Sequence, residues 1–113
     1  MRIEFKNRQF KIWKYNVSHS ILLIRSPKND KLNTNFDIIF SGVKMINFPY
    51  KFDGNCMTSI SEIDDKDIIS ECEKQGFKLE EVYVFRGEKM KYYIVASIIN
   101  IDENDNDIFD VKF

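Results

Sequence analysis

Against six or seven strand-like runs, this chain offers a single convincing helix. One helix cannot cover both faces of a sheet that size, and yet the runs 21–24 and 92–101 carry apolar residues on both faces. The arrangement that satisfies both facts is an α+β domain with a strongly bent, half-barrel-like antiparallel sheet. Such a sheet closes partly on itself while the helix plugs one side. A flatter sheet with an open face kept for a partner is the alternative.

The helix is expected over residues 64–75. Ser61 and Asp64 can cap its start, Lys74 lies in its last turn, and Gly76 stands where a left-handed terminating glycine belongs. Ile68, Ile69 and Cys72 form its apolar stripe. The firmest strand assignment is a hairpin, residues 82–85 with 92–101, turning at Arg86-Gly87-Glu88-Lys89. An opening hairpin is expected to turn at Asn7-Arg8, with a bulge near Ile12-Trp13 where the apolar phase switches from even to odd positions. A buried strand covers residues 21–24, and a further strand from residue 36 to 48 carries a bulge near Ser41-Gly42. Residues 49–60 read as irregular, and residues 108–113 as a short edge strand. At 113 residues the chain is one domain.

Charge is segregated along the chain. Residues 1–56 hold ten Lys/Arg against four Asp/Glu, and residues 57–113 hold seven against fourteen. Such polarity steers a partner, organises self-assembly into a homodimer, or cancels within the fold. The acidic residues fall in three places: Glu62, Asp64, Asp65 and Asp67 at the helix start, Glu80-Glu81 after it, and Asp102, Glu103, Asp105 and Asp107 near the end. Together they are the expected contact surface for a basic protein partner, in the manner of a small inhibitor or an immunity-like protein.

Groups that drive chemistry are scarce. His19 is the sole histidine, and on an extended strand its neighbours Ser18 and Ser20 would point to the opposite face. Cys56, in a loop-like segment, is the more reactive of two unpaired thiols, and Cys72 belongs to the core. An enzymatic or ligand-binding half-barrel would have to use His19 or Cys56. The run 102–107 matches a calcium loop at its first, third and fifth positions, but has Asp107 where glycine is required and Phe113 where glutamate is required. No metal, cofactor or glycine-rich phosphate loop is expected.

Arg8, Lys11, Trp13, Lys14 and Tyr15 interleave cations with aromatics, as single-strand binders do. A sequence pI near 5.8 argues against a nucleic-acid module. The amino terminus lacks an apolar leader and the longest aliphatic run is four residues, so neither secretion nor a membrane is expected, and the cytoplasm is the default.

Overall fold

In a computed structural model, residues 1–54, 56–62 and 64–111 are described. They form one antiparallel sheet of eight strands with one α-helix. The strands are β1 (Arg2–Glu4), β2 (Gln9–Asn16), β3 (Ile21–Ser26), β4 (Asn35–Asn47), β5 (Lys51–Asp53), β6 (Cys56–Ser59), β7 (Val82–Arg86) and β8 (Lys91–Asn104). The helix, α1, spans Lys66–Lys74 between β6 and β7, flanked by single 3-10 turns at Ile60–Glu62 and Leu79–Glu81. Strand order is β1-β6-β7-β8-β4-β3-β2-β5, and the sheet is not closed. No helix among the described residues is long and apolar enough to cross a membrane.

The α+β class and the single sheet agree with expectation; the strand count of eight exceeds it. The excess comes from β5 and β6, which fall inside the stretch 49–60 that reads as irregular in the sequence. The opening hairpin is also corrected. β1 and β2 do not pair with each other: β1 pairs with β6 and β2 with β5. Asn7, at φ 57°, turns the chain between them. Two chain segments thus meet twice in the same antiparallel sense, with the ladder interrupted between Glu4 and Gln9. Gly54 is required at that break, because a Cβ there would stand 1.9 Å from the Phe52 ring. The expected strand at the end of the chain is absent as far as residue 111, which is turn and coil, and Phe113 lies outside the described residues.

Other local expectations hold. The register of β2 on β3 shifts between Ile12 and Lys14, and that of β4 on β8 shifts between Val43 and Met45, close to Ser41-Gly42. β7 and β8 form the expected hairpin. The helix starts two residues later than expected, with Asp65 rather than Ser61 or Asp64 as its cap, and Gly76 follows it at φ 79°.

Alternation along the strands builds two apolar clusters on opposite faces of the sheet. The inner one gathers Phe10, Leu22, Ile24, Ile38, Phe40, Phe52, Met57, Phe85, Ile94 and Ala96, all but sealed from solvent. Its rings interlock: Phe85 contacts Phe40, Phe48 and Phe52, and Phe48 and Phe52 both contact Tyr92. On the outer face, Val82, Val84, Tyr93 and Val95 pack under Ile68 and Cys72 of α1. Each such buried aliphatic side chain contributes about 1.5–3 kcal/mol over exposure. The helix therefore covers one face of β7 and β8, and the other apolar cluster lies on the opposite face of the sheet.

Candidate functional site

The acidic residues near α1 follow from how the helix is started and held. Asp65 accepts the Ile68 amide as N-cap and is bonded by Lys91. Burial alone would raise its carboxyl pKa, but the Lys91 bond and the helix amides hold it below the ordinary value. Glu62 bonds the N-terminal ammonium of Met1 and accepts from the Thr58 hydroxyl, and the ammonium bond holds its carboxyl low. Glu81 pairs with Lys44 at 2.6 Å, which lowers its pKa likewise. Asp64, Asp67 and Glu80 are exposed and make no ion pair among the described residues. Glu71 and Glu73 join this face from α1; the charge on the helix's solvent side was the signal that could have included them.

The remaining acidic residues lie elsewhere. Lys91, which marks the helix cluster, and Glu103 are twelve residues apart on β8, roughly 40 Å at strand rise. The acidic residues read from the sequence thus sit near opposite ends of β8. The second group is largely engaged in fastening the chain end. Glu103 lies 3.6 Å from Arg8, Asp102 accepts from the Asn104 amide, and Asp107 accepts the Phe109 N–H. Asp105 lends its backbone carbonyl to Lys28 at 2.7 Å. Here the basic and acidic halves of the sequence partly cancel.

Sequence reading missed the most buried charge. Arg25 and Asp37, on adjacent strands, form a bidentate pair at 2.6 and 2.9 Å with side chains 3% and 5% exposed. The same guanidinium donates to the carbonyls of Ile108 and Asp110, fastening residues 105–111 across the outer face of β3, and sits over the Trp13 ring. The available signal was an Arg directly after an apolar run and an Asp inside Phe36-Asp37-Ile38-Ile39-Phe40.

Among the basic-aromatic residues, Arg8 is committed inward. It donates to Ser26, to the Thr34 carbonyl and to the Thr34 hydroxyl, above the Phe36 ring. Trp13 is taken by Arg25. Lys11 is half-buried, and Lys14 and Tyr15 are exposed.

His19 stands in the exposed turn between β2 and β3, where the extended-strand expectation fails. Ser18 Oγ is 3.0 Å from His19 Nδ1, and Asn16 Oδ1 takes both the Ser18 hydroxyl and the His19 N–H. That is the bonding of a side-chain-capped turn, and His19 itself is exposed. Cys56 is not in a loop: it is buried on β6, pairing with Glu4 and Arg86. Cys72 faces the outer cluster, where burial pushes its thiol pKa up. No group of three or more metal-ligating side chains occurs among the described residues.

Open clefts gather around the broken ladder. One of about 340 Å³ is floored by Phe52, Met90 and Tyr92, and a neighbour of about 460 Å³ lies over Phe5, Arg8 and Asp53. A third, of about 260 Å³, opens between the start of β2 and residues 26–32. Under α1, the Tyr93 hydroxyl is buried with no hydrogen-bond partner at bonding distance, and burial raises its pKa. Compared with protein-family models, with curated proteins and with solved structures, the chain matches none.

Proposed function

We propose that this chain is a small binding protein that acts by contact, with the α1 side of a half-barrel-like sheet as an acidic docking surface for a basic protein partner. The observation that carries this reading is charge density on one structural unit. Residues 62–81 contain eight carboxylates against three lysines, carried by α1, the two turns that flank it and the residues adjoining them. Asp64, Asp67, Glu71, Glu73 and Glu80 are exposed there. A one-signed surface of this kind raises association rates and selects against like-charged competitors. Asp102, Glu103, Asp105 and Asp107 serve as a remote, secondary acidic group. Catalysis through His19 or Cys56 is disfavoured by where those side chains sit, one in an open turn and one inside the sheet.

The half-barrel form is supported by two short links. β5 and β6 stand six places apart in strand order, roughly 29 Å in a flat sheet. Asp53 and Cys56 are three residues apart, which spans at most about 11 Å. A curled sheet permits that. The same holds for Glu4 and Gln9.

The test is capture from the native cell lysate by wild-type protein and by a variant with Asp64→Asn, Asp67→Asn, Glu71→Gln, Glu73→Gln and Glu80→Gln. A specific basic protein should be retained by wild type at low salt, and be lost at high salt and in the variant. Equal retention by both proteins would sink the proposal.

A further inference from the structure

On the outer side of the sheet, five charged residues stand in register across five strands. The pairings are Lys51 with Lys11, Lys11 with Arg25, Arg25 with Asp37, and Asp37 with Asp102, so the row is three cations followed by two carboxylates. Its middle is neutralised by the buried Arg25–Asp37 pair. Its β5 end is not. Ile12 donates its N–H to the Tyr50 carbonyl, which places Lys11 and Lys51 at a non-hydrogen-bonded pair. Side chains stand closest at such positions, about 4.5–5.5 Å between Cβ atoms, and like charges there repel. Neither ammonium has an ion-pair partner among the described residues.

Lys11 also lines the cleft of about 260 Å³ beside residues 26–32, together with Asn7, Gln9, Lys28 and Asn29, and no carboxylate among the described residues shares that wall. Lys28 is held in place by its bond to the Asp105 carbonyl, which uses one of its three N–H donors. Asn29 accepts the amides of Lys31 and Leu32 with its side-chain oxygen, so its NH₂ end remains a donor. Asn7 holds a left-handed backbone at this wall, a conformation asparagine tolerates better than most residues. Asp53, on the neighbouring cleft, is engaged by the Gln9 amide.

We propose that this cleft binds a phosphate group. Lys11 is its central contact, Lys28 supplies charge on the same wall, Lys51 stands opposite Lys11 on β5 while lining the adjacent cleft, and the amides of Asn7 and Asn29 are neutral donors. A dianion between Lys11 and Lys51 turns their repulsion into a bridge, and amide donors fit phosphate oxygens without adding charge.

The experiment follows backbone amide shifts of the full chain during titration with inorganic phosphate, against sodium chloride at equal ionic strength. Saturable shifts should concentrate at Asn7, Gln9, Lys11, Lys28 and Asn29, and Lys11→Gln should weaken the affinity at least tenfold. The same group occurs free and as a monoester, so glycerol 3-phosphate is titrated in parallel; whichever binds tighter identifies the form. Phosphate should raise the unfolding temperature of wild type and leave that of Lys11→Gln unmoved. Without phosphate, Lys11→Gln should be at least as stable as wild type, since a like-charge opposition is removed. Shifts that match those in chloride, or an equal thermal rise in Lys11→Gln, would overturn the proposal.

Discussion

Removing the Asp37 carboxylate should be among the most damaging single changes on the outer face. In Asp37→Ala the Arg25 guanidinium keeps its two bonds to the carbonyls of Ile108 and Asp110 and its seat over Trp13, but loses its counter-charge where only 3% of its side chain meets water. The Asn104 amide loses an acceptor as well. Breaking a buried pair from one side costs about 3–5 kcal/mol, because the remaining charge stays desolvated. A domain of this length has a total stability of roughly 5–15 kcal/mol, so a large share of it is at stake. With a urea slope of about 1.5 kcal/mol/M, the midpoint should fall by about 2–3 M. The double variant Arg25→Met with Asp37→Leu should recover most of that loss, since two apolar side chains leave no buried charge. Its residual deficit measures the fastening of residues 105–111. Urea unfolding followed by Trp13 fluorescence reads all three proteins. A loss below about 1 kcal/mol in Asp37→Ala, or a double variant as weak as the single one, would refute this reasoning.

Other expectations concern the core, the helix and pH. Phe85→Ala, which removes a fully buried ring touching Phe40, Phe48 and Phe52, should cost about 3–5 kcal/mol by calorimetry or urea unfolding. Asp65→Ala removes the cap of α1 and its bond from Lys91, and should cost about 1–2 kcal/mol with loss of helical circular dichroism. Asp65, Glu62 and Glu81 have carboxyl pKa values lowered by folding. Their stabilisation is therefore complete above the ordinary carboxylate range and is lost as pH falls through the lower folded values. Stability should decline below about pH 4.5, and Asp65→Asn should flatten that slope. A thiol reagent should label Cys56 and Cys72 only as fast as the protein opens, because both are buried.

What was legible in the chain is what local pattern encodes. The β7–β8 hairpin has apolar strands on either side of Arg86-Gly87-Glu88-Lys89, and the α1 stripe ends at Gly76, so each carries its own start and stop. The phase change at Ile12-Trp13 marked a bulge for the same reason. Pairing between remote segments has no such local mark. β1 is three residues long and finds β6 more than fifty positions away, so Asn7-Arg8 looked like a hairpin turn when it is a crossing between two pairings. β5 and β6 are too short to show alternation, and Cys56-Met57-Thr58 is buried on both faces, which hid them as strand. Charge was legible in amount but not in place. Asp64 stands just before α1, Glu71 and Glu73 on it and Glu80 in the turn after it, whereas Glu103 lies 3.6 Å from Arg8 and accepts from the Thr34 hydroxyl. Arg25 and Asp37 became informative only when β3 and β4 were set side by side.

Contact through the α1 side is tested most directly by lysine cross-linking of the captured complex, read by mass spectrometry. Lys66, Lys74 and Lys78 are exposed around that face and should carry the links to the partner. Links confined to Lys11, Lys28 and Lys51 would place the partner on the other charged surface and contradict an acidic docking face.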